Sequence, residues 1–212
     1  MSAHASADTL LARSIDGLAA RTLVRAAAVL LAVGLTAAAA QFTLVLPGTA
    51  VPFTLTPLVV MLTGAALGSR LGFVAQAMYL AAGAAGAPVF APSPLLPPGP
   101  LRLIGPTGGY LMAYPIAAFV TGWLAERGWD RRYVTSFASM LAGLAIIFSG
   151  GVSWMVIGLQ VAPAVAFVDG FARFILADVL KAGLAAMILP QAWKLIDDPR
   201  AHRAREGRSY RT

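Results

Sequence analysis

Six stretches of almost unbroken apolar sequence, divided by short polar punctuation, constrain this chain more than any other feature. They run from about Leu23 to Leu46, Phe53 to Leu67, Leu71 to Ala87, Gly109 to Leu124, Val134 to Leu159 and Phe171 to Trp193. A soluble domain has too little polar surface to cover so much apolar sequence, and an exposed remainder would aggregate. Only 12% of residues are charged, against about 25% in ordinary soluble domains. A bilayer removes the conflict, provided that every backbone polar group is satisfied internally, as in a helix. The expectation is an all-α integral membrane protein of about six transmembrane helices. Residues 22–195 form its membrane domain, between polar tails at 1–21 and 196–212.

The first run is too long for the apolar region of a signal peptide, which has about 7–15 residues, and others follow it. The second and third runs are short against the roughly 20 residues of a full span. They suit helices tilted around a cavity or a re-entrant pair. The fifth run carries Gly150-Gly151 and is followed by Pro163, so Val156–Val168 is expected to be an irregular outer segment.

The net charge of +7 comes from basic residues at the edges of the apolar runs, not from a basic face laced with aromatics. That excludes a nucleic-acid surface and matches the positive-inside rule. With both termini cytoplasmic, thirteen of the sixteen lysines and arginines fall inside, Arg102 and Arg173 fall outside, and Lys181 lies within the last span. Cysteine is absent and the two histidines, His4 and His202, lie in the tails. Thiol chemistry is excluded, and a histidine metal site or relay within the membrane is not expected. The phosphate-loop pattern is also absent, so any ATP hydrolysis belongs to a partner.

Small residues recur four apart at Gly64, Gly68 and Gly72, at Ala28 and Ala32, and at Gly83 and Ala87. Such stripes let helix backbones approach closely, either within the chain or against a partner membrane subunit. The last run is interrupted by Asp178 and Lys181, three apart and so on one helix face. Each charge costs roughly 2.5–3.5 kcal/mol at a span centre. They are expected either to pair and lock the helix or to form the polar end of a ligand pocket. Asp169 and Arg173, four apart nearer the outer end, read as an interfacial pair of little energetic value.

Four segments, read together, resemble the BioY family of biotin-binding S components of energy-coupling-factor transporters. They are Val51-Pro52-Phe53-Thr54-Leu55-Thr56; the Gly64–Gly72 turn; Tyr79–Phe90 running on to Gly105-Pro106-Thr107-Gly108-Gly109-Tyr110; and Asp178-x-x-Lys181. The loop after Phe90 departs from the family's glycine-rich pattern, with prolines at 92, 94, 97, 98 and 100. The resemblance implies a six-helix S component that binds biotin near the outer face of the bacterial cytoplasmic membrane. It also implies a transmembrane T component and two ATPase subunits as partners, with Ala28 and Ala32 on the docking face. No cofactor, catalytic residue or metal is implied.

Biotin joins an apolar bicycle and tail to a ureido group and a carboxylate. Phe53, Tyr79, Phe90 and Tyr110 would bury the apolar part, and Gly105, Thr107, Gly108 and Gly109 would let backbone approach the ligand. Asp178 would accept a ureido N–H, while Lys181 would contact the ureido oxygen or the carboxylate. An S component for another vitamin, or a facilitator that works without partners, shares these sequence features. An intramembrane enzyme does not fit, because no nucleophile has a base beside it.

Overall fold

The computed structural model describes residues 18–44, 48–93 and 99–196. The tails at 1–17 and 197–212, with Pro94, Pro97 and Pro98, lie outside the described residues. The elements in order are α1 (Leu18–Gln41), β1 (Thr43–Leu44), β2 (Phe53–Thr54), α2 (Thr56–Leu67), α3 (Ser69–Ala84), the single turn α4 (Leu101–Ile104), α5 (Gly108–Ala125), α6 (Tyr133–Ser153), α7 (Pro163–Phe167) and α8 (Ile175–Ile196). α6 continues as a wider π turn over Trp154–Gly158, and α7 does so over Val168–Ala172.

Local chemistry sets several boundaries. α1 stops at Gln41, short of the expected Leu46, because Thr43 and Leu44 leave the helix to pair antiparallel with Thr54 and Phe53. α2 opens with proline in its first turn, where a missing N–H costs nothing. It closes on Gly68 at φ 87°, a conformation open to glycine, and α3 starts at the next residue. The segment expected to be irregular at Val156–Val168 is mixed: a π turn, Gln160 at φ 56°, then the helical turn of α7.

α5 is the centre of the bundle and packs on α2, α3 and α6, while α8 crosses α6 and α2. Glycine lets the backbones meet. A Cβ on Gly64 would strike Thr121 and the Ala118 carbonyl, one on Gly72 would lie 2.8 Å from the Gly64 Cα, and one on Gly122 would lie 2.5 Å from the Gly68 carbonyl carbon. The Gly64/Gly68/Gly72 stripe is therefore packing within the chain. Gln76 fastens the same region, donating at 3.1 Å to both Thr36 and Thr63 hydroxyls from the fully buried interior.

The outside of the bundle is apolar. On α8, Leu176, Leu180 and Leu184 are 60–75% exposed, while Ala182, Ala185 and Ala186 face inward. An exposed apolar face of this kind belongs in lipid. Among the described residues, Arg21–Gln41 and Tyr133–Gly158 are long and apolar enough to cross a bilayer by themselves. At 12 residues α2 extends only about 18 Å, well short of the roughly 30 Å hydrocarbon core.

Candidate ligand-binding cavity

Helix α8 brings Asp178 and Lys181 to one face, as their spacing requires, and turns that face inward. The lysine ammonium donates to Asp178 Oδ1 at 2.6 Å and to the Thr54 carbonyl at 2.6 Å, and it sits 3.5 Å from the centre of the Phe53 ring. Its three N–H bonds are thus directed at a carboxylate, a carbonyl and an aromatic face. The short ladder between β1 and β2 positions both Phe53 and Thr54 for this contact. Asp178 makes no other side-chain hydrogen bond among the described residues, so its second oxygen is left for the cavity it lines.

That cavity encloses about 660 Å³ not occupied by protein atoms, its mouth included, at the end of the bundle opposite most of the arginines. Its walls are aromatic. Tyr79 meets Phe90 edge-on at 5.5 Å and stacks near Tyr114 at 6.5 Å. Phe53 stacks near Phe174 at 6.4 Å, and Tyr110 meets Phe148 edge-on at the same distance. Two glycines make the walls possible: a Cβ on Gly83 would overlap the Phe90 ring, and one on Gly151 would overlap Tyr110. The Tyr110 hydroxyl donates to the Gly170 carbonyl at 2.7 Å, which ties the wall to the π turn after α7.

Arg102, on the one-turn helix α4, also lines the cavity and is 5% exposed. Burial lowers its pKa from the ordinary arginine value, with the Tyr79 hydroxyl opposing. An anion beside it would offset that loss of hydration. At the mouth, Thr49 donates to the Asp169 carbonyl at 2.9 Å, which closes the loop after α1 onto the segment before α8. Arg173 pairs with Asp169 at 2.9 Å on the exposed side.

Phe53, Tyr79, Phe90, Thr107, Tyr110 and Asp178 therefore share one cavity. Lys181 stands behind Asp178 and not on the wall. The three glycines are used differently: the Gly105 carbonyl accepts from the Trp154 indole at 3.0 Å, a Cβ on Gly108 would strike the Leu103 carbonyl, and one on Gly109 would strike Trp154 and Gly150. They let α4, α5 and α6 touch. Ala32 is buried in a small cluster with Val29 and Ala75, and Ala28 is half-buried. Arg102, Tyr114 and Phe174 are wall residues that sequence reasoning missed. Each had a signal: an arginine on the side where few are expected, and aromatics four residues before Asp178 and four after Tyr110.

An apolar-faced helical bundle with an aromatic cavity and a buried ion pair on its wall defines a membrane protein built around a small-molecule site. The sequence matches the model of the BioY family over residues 10–198, and the chain belongs to that family. The probable biotin transporter BioY of Pyrococcus horikoshii is 41% identical over 138 residues, covering 65% of this chain and 78% of that protein. The biotin transporter BioY of Thermotoga maritima is 39% identical over 148 residues, covering 68% of this chain and 82% of that protein. A crystal structure of the S-component for biotin from an ECF-type ABC transporter has the same fold, with a TM-score of 0.75, 19% identity, and coverage of 84% of this chain and 95% of that one.

Proposed function

We propose that this chain binds biotin in the cavity and acts as the substrate-specific subunit of an energy-coupling-factor transporter. The observation that carries the reading is the cavity's chemistry: aromatic walls with a lysine-locked carboxylate and a buried guanidinium. Family membership and the biotin-transporter names of the relatives support the same ligand. Asp178 accepts a ureido N–H. Lys181 pairs with Asp178 and aims it, and does not touch the ligand. Arg102 takes the carboxylate, and Phe53, Tyr79, Phe90 and Tyr110 bury the bicycle and tail. Thr107 adds a hydroxyl to the wall, and Gly105, Gly108 and Gly109 hold α4 and α5 in place around it.

In this reading residues 22–195 cross the cytoplasmic membrane six times, through α1, α2, α3, α5, α6 and α8. Both tails, 1–21 and 196–212, and the arginine-rich end lie inside, and the cavity faces outward. A transmembrane T component and two ATPase subunits supply the energy, since this sequence has no phosphate loop. Calorimetric titration of the purified protein in detergent tests the ligand, with thiamine and riboflavin as controls. One-site biotin binding without response to the controls is expected. A folded protein that takes up thiamine or riboflavin instead of biotin sinks the assignment.

A further inference from the structure

A groove of about 720 Å³ lies on the outside of the bundle between α3 and α5, and it shares no lining residue with the cavity. Phe73 and Val74 form one wall, Ile116 and Phe119 form the other, and Arg70 completes the lining. The four apolar side chains are 41–53% exposed. Arg70 is exposed too and, among the described residues, makes no hydrogen bond or ion pair. Glu126 and Arg127 beside it make contacts of their own. Glu126 Oε1 accepts from the Ser69 amide at 2.8 Å and from the Ser69 hydroxyl at 2.9 Å. Arg127 stacks 3.4 Å from the centre of the Trp123 ring and donates to the Trp123 carbonyl at 2.8 Å.

We infer that this groove holds an anionic phospholipid, with acyl chain against Phe73, Ile116 and Phe119 and phosphate on Arg70. Two features select the occupant. Apolar walls on a lipid-facing surface take hydrocarbon, and an exposed guanidinium with no ion pair among the described residues takes a negative headgroup. The position agrees: Arg70 and the stacked Trp123–Arg127 pair lie at the arginine-rich end, where an interface would hold headgroups. From Arg70 to Val74 the helix rises about 6 Å, so the groove fits a glycerol backbone and the first methylenes of one chain. A zwitterionic lipid brings its own cation to the same place and gains less. The inference is independent of what the cavity binds.

Native mass spectrometry of the full chain tests it, after equilibration with palmitoyl-oleoyl phosphatidylglycerol or with the phosphatidylcholine of the same chains. Phosphatidylglycerol adducts should be retained about fivefold over phosphatidylcholine, in keeping with one basic contact near a membrane surface. Arg70→Gln should remove that preference and Arg70→Lys should keep it. Ile116→Trp, which fills the groove, should reduce both lipids. Arg132→Gln, at an exposed arginine off the groove, should change nothing. The inference fails if Arg70→Gln and Arg132→Gln behave alike, which would mean diffuse attraction. It fails equally if Ile116→Trp retains the adducts while dissociating a dimer, which would mean a second copy covers the groove.

Discussion

The chain buries a carboxylate at each end, and the two are held in opposite ways. Asp178 is 5% exposed, ion-paired to Lys181 at 2.6 Å and open to the cavity. Asp130, in the turn between α5 and α6, is 2% exposed and accepts a 2.5 Å hydrogen bond from the Trp193 indole. Its Oδ1 has no hydrogen-bond partner among the described residues. Burial raises the Asp130 pKa, and the Trp193 bond and the Arg131 charge oppose that rise. Asp130 thus ties a turn to the end of α8 and lines neither the cavity nor the groove. A buried acid in a membrane chain is a functional candidate by default. The pair teaches that a second test is needed: a void beside the carboxylate and a cation paired with it.

The largest effect is expected at Lys181. Lys181→Met leaves Asp178 buried without its cation, which should cost about 3–5 kcal/mol of stability and abolish measurable biotin binding. Thermal unfolding and calorimetry read the two losses separately. The double variant Asp178→Asn/Lys181→Met should regain much of the stability and none of the binding. Recovery of both would mean that the pair only locks the helix.

Next, Arg102→Gln should weaken biotin about 10- to 100-fold, the range for a hydrogen bond to a charged group. It should leave biotinamide, which lacks the carboxylate, nearly unchanged. Equal loss for both ligands would move Arg102 from ligand contact to wall packing.

Glycine substitutions sharpen the contrast between the ends. Gly151→Ala drives a Cβ into Tyr110, and Gly64→Ala drives one into Thr121 and Ala118. Each should destabilise by about 1–3 kcal/mol, but only Gly151→Ala should also weaken biotin. The smallest effect belongs to Asp130. With its folded pKa above the unfolded one, the native state holds its proton to higher pH. Its contribution is therefore favourable in acid and is lost as pH rises through the folded pKa. Asp130→Asn should flatten that part of the stability–pH curve and leave biotin binding intact.

Much of this was legible from the residues. The apolar runs place the helices, although boundaries moved where pairing competed: Thr43 and Leu44 left α1 for a ladder with residues more than eight positions away in sequence. The Asp178/Lys181 face followed from spacing alone. Its partner Thr54 did not, because a contact across 127 positions depends on how α2 and α8 pack. Arg102 was visible only as an anomaly of charge, since no periodicity tells which way a one-turn helix points. Close approach is what glycine permits, and at the loop glycines the approaching groups are Leu103, Trp154 and Gly150.

The most direct measurement is one biotin titration run in parallel on the unaltered protein, Asp178→Asn and Asp130→Asn, each checked for folding. The account predicts tight binding by the unaltered protein and by Asp130→Asn, and a loss of at least about tenfold in Asp178→Asn. Unchanged affinity in a folded Asp178→Asn protein would contradict it, because the carboxylate facing the cavity would then have no part in holding the ligand.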